Sequence, residues 1–245
     1  MTLLVSPTAR SQPPDATGVS AAPTLPLAQL GGLSNLAFYG IQGTEILNIP
    51  VPPGLEPVAL NAITQLPVNV RSATITVMQD DRTIARVDVA PGDAAPIVIP
   101  LVGAEIVDNA VSVTLRTYLL PLDGYCLDPT NPLRLSDGNV AFGGVEQAPT
   151  AVADFLPPVL RSLTIFVDAD PSQAESDAAV RRAAAVAAHD GAQYPDISVA
   201  PLADGQAGPP EPSAPLQRHI VIREGADVGV SLMGSTGVPA LLIGG

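Results

Sequence analysis

Val111-Ser112-Val113-Thr114-Leu115-Arg116 alternates apolar and polar side chains without a break, and Ala73-Thr74-Ile75-Thr76-Val77-Met78 does the same. Successive side chains of a strand point to opposite faces, so this period of two marks strands with one buried and one solvated face. Working outward, strands are expected near Asn35–Tyr39, Thr44–Val51, Val58–Leu66, Ala73–Gln79, Thr83–Val89, Pro96–Pro100 and Ala110–Leu119. Pro52-Pro53-Gly54, Asp80-Asp81, Pro91-Gly92-Asp93 and Asp108-Asn109 supply turns between them. Asp80-Asp81 between two well-alternating strands marks a hairpin. Many short strands with regularly spaced turns point to a β-sandwich, jelly-roll-like, over residues 25–145.

The rest of the chain departs from that pattern. Residues 1–24 are rich in Ser, Pro, Ala and Thr without periodicity and are expected to form a disordered lead. Between Leu120 and Pro132 the density of Pro, Asp and Asn is too high for a strand; Ser136-Asp137-Gly138-Asn139 then turns into a short strand, Val140–Phe142. Residues 146–158, ending in Pro157-Pro158, read as a linker. After it the period changes. Leu163-Thr164-Ile165-Phe166-Val167 has the continuous apolar character of a parallel strand buried on both faces. Asp168-Ala169-Asp170-Pro171-Ser172 leads into a helical stretch, Ala174–Ala188, closed by His189-Asp190-Gly191. Ile197–Ala200, His219–Arg223 and Gly237–Ile243 are further strand candidates. Residues 159–245 are therefore expected to be part of a doubly wound, flavodoxin-like α/β domain, giving a mixed fold overall.

Composition limits the chemistry. The chain has 245 residues, 47% of them hydrophobic, enough for one large or two ordinary domains with a true core. With 11 Lys+Arg, all of them arginine, against 24 acidic residues, the net charge is −13, which disfavours nucleic acid and anionic membrane surfaces. Only Arg181-Arg182 are adjacent, as expected of a solvated helix face, and they lack the partner motif of a cyclic-dinucleotide clamp. One cysteine, Cys126, allows no internal disulfide and no paired-cysteine metal site. No apolar run reaches 18 residues, and the apolar start is shorter than a secretory signal requires.

No catalytic, metal or cofactor residue is assigned. His189 suits a helix C-terminus, and His219 a packing or edge position. Gly229-Val230-Ser231-Leu232-Met233-Gly234 misses the nucleophile-elbow spacing by one residue. A phosphate would sit after the first α/β strand, but there Asp168, Asp170 and Pro171 stand where glycine and free N–H groups are needed. A divalent cation at Asp168 and Asp170 would lack further ligands nearby. Sugar binding by a β-sandwich usually relies on aromatic rings. Tyr118 and Tyr125, with Asp123, Asp128 and Asn131, form the polar-aromatic cluster available for it. The same tyrosines could instead close the sandwich end and cap the core.

In order, Leu25-Pro26-Leu27-Ala28-Gln29-Leu30-Gly31, Leu47-Asn48-Ile49-Pro50-Val51, Val98-Ile99-Pro100-Leu101, Asp108-Asn109, the Cys126 loop, Phe155-Leu156-Pro157-Pro158 and Gly237-Val238-Pro239-Ala240-Leu241 resemble the front part of the bacterial cellulose synthase regulatory subunit family. The resemblance implies an extracytoplasmic, non-catalytic accessory subunit of the cell envelope, tethered by a transmembrane segment outside this sequence. It implies carbohydrate-binding-like jelly rolls alternating with flavodoxin-like domains. It also implies pairing with a membrane glycosyltransferase resembling the cellulose synthase catalytic subunit, and guidance of the emerging polysaccharide. On this view Tyr118, Tyr125, Asp128 and Asn131 are the carbohydrate-binding candidates. Any cyclic dinucleotide is bound by the catalytic partner and not by this chain. Two departures stand out: a second sandwich and second α/β domain are not present, and Leu133-Arg134-Leu135 stands where members often carry Trp. The competing expectations are a generic extracellular scaffold or adhesin without a sugar role and, third, an enzyme using the α/β half.

Overall fold

The structure is a computed structural model, and the residues it describes are 23–31, 33–189, 193–202, 206, 215–225, 228–233 and 239–244. The expected disordered lead lies outside them as far as residue 22; Thr24 already belongs to a strand.

Among the described residues the first half holds nine strands: β1 (Thr24–Pro26), β2 (Leu36–Phe38), β3 (Gln42–Pro50), β4 (Leu55–Gln65), β5 (Val70–Gln79), β6 (Arg82–Val89), β7 (Asp93–Pro100), β8 (Ala110–Pro121) and β9 (Leu133–Gly144). They form two antiparallel sheets. One runs β1-β9-β4-β7, with β2 also on β9; the other runs β3-β8-β5-β6. Consecutive strands pass repeatedly from one sheet to the other, so the inward halves of the alternating segments meet in one core. Phe38, Ile49, Leu60, Ile75, Ile99, Leu115 and Leu133 are fully buried there. Each such side chain contributes about 1.5–3 kcal/mol relative to exposure. The turn chemistry agrees with the expectation. Asp80 takes a left-handed φ of 51° in the β5–β6 hairpin. Asp108 and Asn109, at φ 50° and 58°, close a two-residue turn in which Val107 and Ala110 exchange both backbone hydrogen bonds.

Strand β9 differs from the short strand expected at Val140–Phe142, spanning twelve residues. Leu133, Leu135, Val140 and Phe142 all face the core, and the Ser136–Asn139 turn signal is absorbed as a bulge, where the register against β4 shifts between Asn61 and Ile63. Asp137 takes a φ of 54° in that bulge.

The second half holds β10 (Ser162–Val167), α1 (Gln173–His189), β11 (Asp196–Pro201), β12 (Gln217–Arg223), β13 (Gly229–Met233) and β14 (Ala240–Gly244). Their order is β11-β10-β12-β14-β13, with β11, β10, β12 and β14 mutually parallel and β13 an antiparallel edge. Leu163, Ile165 and Val167 pack with Ala179 and Val186 of α1, while Phe166 and Val221 bury the opposite face with Leu202. Leu163, Ile165 and Val167 thus bury one face of β10 and Phe166 the other, while Ser162 and Thr164 are only half-buried and the Thr164 hydroxyl lies 3.3 Å from that of Ser198. Strand β13 was not expected. Of the expected Gly237–Ile243 strand, residues 237 and 238 lie outside the described set, as do Asp190 and Gly191 of the expected helix stop.

The stretch expected to be a linker, 146–158, is packed. It contains a 3-10 turn, Val152–Asp154, and buries Phe155 in the α/β core. Val159, just past it, and Leu216, just before β12, join the sandwich core instead. Apolar side chains spaced along the connection bind it to both halves.

Candidate functional site

The outward face of the β3-β8-β5-β6 sheet is built by the polar half of the same alternation that fills the core. Antiparallel register places Gln42, Tyr118, Thr74 and Asp88 side by side across the four strands. The next row is Thr44, Arg116, Thr76 and Arg86. Neighbouring strands lie about 4.8 Å apart, so each row spans roughly 14 Å. Tyr118 is 48% exposed, Leu120 adds exposed apolar surface two residues along β8, and Ile46 does so beyond the row of Thr44 and Arg116. Gln42, Thr44, Thr76, Arg116 and Tyr118 line a shallow depression of about 360 Å³.

A local device sets the edge of this face. Gly43 faces inward, where a Cβ would lie 2.6 Å from Phe38 Cβ and 2.9 Å from Thr117 Oγ1. The missing side chain lets Phe38 fill the core under β3. The buried Thr117 hydroxyl accepts the Gly43 N–H at 3.1 Å, fastening β3 to β8 beside Tyr118.

The four candidate residues do not form one constellation. Tyr118 stands on β8, whereas Tyr125, Asp128 and Asn131 lie in the loop between β8 and β9, where Tyr125 and Asn131 are exposed. Among the described residues no hydrogen bond or ring contact joins Tyr118 to the other three. Asp128 Oδ1 accepts the Thr130 hydroxyl at 2.7 Å and the Thr130 N–H at 2.8 Å. These two bonds, the hydroxyl's first, hold its carboxyl below the usual carboxylate range. Asn131 donates its backbone N–H to Asp128 O, completing a self-contained turn. Asp123 pairs with Arg71 at 2.5 Å. Neither tyrosine ring is buried, so neither caps the core. Arg116, two residues before Tyr118 on one alternating strand, shares its face by period alone. Arg86, Thr44 and Thr76 could not be grouped with it from the sequence, because the register that joins them comes from pairing.

The crevice between β10 and β12 is where the chain reverses its direction of travel across the sheet, the place where doubly wound folds hold ligands. Here a protein carboxylate fills it. Ser172 and Glu175 form a capping box: Ser172 N–H donates to Glu175 Oε2 at 2.9 Å, and Glu175 N–H donates to Ser172 Oγ at 3.2 Å. Glu175 Oε1 also accepts the Glu224 N–H at 2.9 Å, from the turn after β12. Glu175 is buried. Asp168 meets Arg223 at 3.7 Å along the same edge. An incoming phosphate would confront a buried carboxylate in place of free N–H donors.

The remaining chemistry-bearing residues are dispersed. Ser231 lies in the middle of β13, an edge strand, and not at the strand-to-helix turn that an elbow needs; Gly234 of that stretch lies outside the described residues. His189 ends α1. His219 is in β12, between β10 and β14, which corrects the edge half of its expected placement; it packs edge-to-face on Phe166 with ring centroids 5.1 Å apart. Burial lowers its pKa, and its Nδ1 has no hydrogen-bond partner among the described residues. Among the described residues no group of three or more His, Cys, Asp and Glu is placed to hold a metal, and no helix is long and apolar enough to cross a membrane.

No protein family and no curated protein matches the sequence. Among solved structures, an acetyl xylan esterase from the rumen bacterium Butyrivibrio proteoclasticus is similar at 13% identity and a TM-score of 0.25, covering 76% of this chain and 46% of the esterase. A mutant VP2 protein of infectious bursal disease virus is similar at 20% identity and a TM-score of 0.26, covering 55% of this chain and 35% of the viral chain. The chain spans less than half the length of either.

Proposed function

We propose that this protein is a non-catalytic, extracytoplasmic accessory subunit of an exopolysaccharide synthase of the cellulose type. Its sandwich guides the polymer, and its α/β half docks against the membrane glycosyltransferase. The observation that carries the reading is the open face of the β3-β8-β5-β6 sheet, where exposed Tyr118 stands among Gln42, Thr74, Thr44 and Thr76. A pyranose ring has an apolar C–H face and a polar rim. An aromatic ring bordered by hydroxyl and amide groups complements both. The strand order β11-β10-β12 matches the beginning of a flavodoxin-like sheet, with Glu175 at the crevice where a flavin phosphate would otherwise lie. That half is therefore a docking platform and spacer.

The test combines affinity electrophoresis on soluble β-glucans with co-purification against a membrane glycosyltransferase. Retardation that falls at least about fivefold in Tyr118→Ala is expected from loss of ring stacking. Absence of both glycan retardation and co-purification overturns the reading and leaves a scaffold or adhesin without a sugar role.

A further inference from the structure

We propose that the same open face selects a carboxylate-bearing polysaccharide, with Arg116 and Arg86 as its anion contacts and Tyr118 as the stacking platform. This rests on the reading of the face as a glycan surface and adds the charge class of the polymer.

Of the eight described arginines outside this face, four are held by other groups of the protein, and Arg134, Arg161, Arg181 and Arg182 are exposed on other surfaces without such a partner. Arg71 pairs with Asp123, Arg218 with Glu146 and Arg223 with Asp168, while Arg82 donates to Gly103 O. Arg86 and Arg116 have no ion pair or hydrogen bond among the described residues. In a chain of net charge −13, two free guanidinium groups stand in one row of one sheet, with Thr76 between them and Thr44 at the end. Asp88 is the single carboxylate in the two rows, at the far end of the Tyr118 row.

Spacing makes the pair selective. Arg116 and Arg86 are separated by two strand spacings, about 10 Å, roughly the reach of two sugar units in an extended chain. Tyr118 lies two residues along β8 from Arg116, about 7 Å to the side of the arginine row, and lines the same depression, so a polymer lying along the row passes beside its ring. A guanidinium takes a carboxylate through two parallel N–H donors, which fixes orientation as well as charge. A polymer carrying a carboxylate on alternate sugars meets both arginines at once, and Thr44 and Thr76 offer hydroxyls to the uncharged rims between them.

The full chain is run by affinity electrophoresis in gels containing polygalacturonate, alginate or hydroxyethylcellulose, each referred to a glycan-free gel. Retardation by a polyuronate is expected. It should fall at least about tenfold in Arg86→Gln/Arg116→Gln and weaken steeply by about 0.3 M salt, as screened charge contacts do. Arg116→Lys, which keeps the charge and the fold but loses the two-pronged geometry, should lie between. Polyuronate retardation unchanged in the double variant overturns the proposal. So does equal retardation by hydroxyethylcellulose, which would leave the glycan platform standing with no charge selection. Retardation by none of the three, with co-purification of the glycosyltransferase lost in the double variant, reassigns the arginines to a protein contact and overturns the glycan reading of this face with it.

Discussion

Arg218 Nη1 lies 2.8 Å from Glu146 Oε1, joining the first residue of the connecting segment to a central strand of the α/β sheet. The contact is ionic, without the angle of a hydrogen bond. The guanidinium, 2% exposed, is held by hydrogen bonds from Nε to Phe155 O at 2.7 Å and from Nη1 to Gln217 O at 2.8 Å. Glu146 Oε2 accepts the Leu216 N–H at 2.7 Å, and Leu216 is itself in the sandwich core. One carboxylate thus fastens the entrance of β12 to the end of the sandwich.

Removing that carboxylate should be expensive. Glu146→Ala leaves a buried guanidinium uncompensated, a loss expected to cost about 3–5 kcal/mol. Urea unfolding followed by circular dichroism measures it. Glu146→Gln, which keeps an acceptor for the Leu216 N–H, should cost less. A cost below about 1 kcal/mol for Glu146→Ala would place the pair with ordinary surface ion pairs and refute its role as a tie.

Gly43→Ala inserts a methyl group where Phe38 Cβ is 2.6 Å away. Strand β3 must shift or Phe38 must leave its site, at an expected cost of about 1–3 kcal/mol. Thermal melting reports the destabilisation. The displaced β3 should also weaken any ligand of the Tyr118 face, so a lowered melting temperature with unchanged affinity would contradict the role given to Gly43.

Glu175→Ala removes the acceptor for both the Ser172 and Glu224 N–H groups. Hydrogen bonds to a charged acceptor contribute about 1.5–3 kcal/mol each. Glu175→Gln can keep the reciprocal capping bonds, so it should retain most of the stability. Equal losses in the two variants, by urea unfolding, would show that charge and not capping holds the helix start.

His219 makes stability depend on pH. Desolvation lowers its pKa in the folded chain below the ordinary value of 6.5. The unfolded chain therefore binds the proton more readily, and stability falls as the pH drops below about 6.5, until the folded-state pKa is passed. Above that window the contribution is fully present. His219→Phe should flatten this part of the stability–pH curve while keeping the contact with Phe166. An unchanged slope just below pH 6.5 in the variant would locate the dependence elsewhere.

The alternation in Ala73–Met78 and Val111–Arg116 was legible because a half-buried strand leaves its period in the chain itself. The change at Leu163–Val167 was legible because Ile165, Phe166 and Val167 are apolar in succession, which puts apolar side chains on both faces. Strand β9 was underread because Asp137-Gly138 carries the signature of a turn, and only the partner strand shows that the pair is a bulge. Strand β13 was hidden because its residues are mostly exposed and carry no core periodicity. Tyr118 was legible as one of few aromatics. Its neighbours on the paired strands were not, because Arg86 and Thr44 are distant in sequence and meet only through register.

By itself the sequence determined that this chain has a β-sandwich half and an α/β half, that it is strongly acidic, and that Asp168, Asp170 and Pro171 follow Val167 in place of glycine. Those properties reside in local periodicity, composition and residue type. Tertiary structure alone decided that the connection is packed, that Glu175 occupies the crevice, and that Arg86 and Arg116 share a row beside Tyr118. Each of these depends on which strands pair and in what register, a choice made by burial of the whole core and not by any one segment.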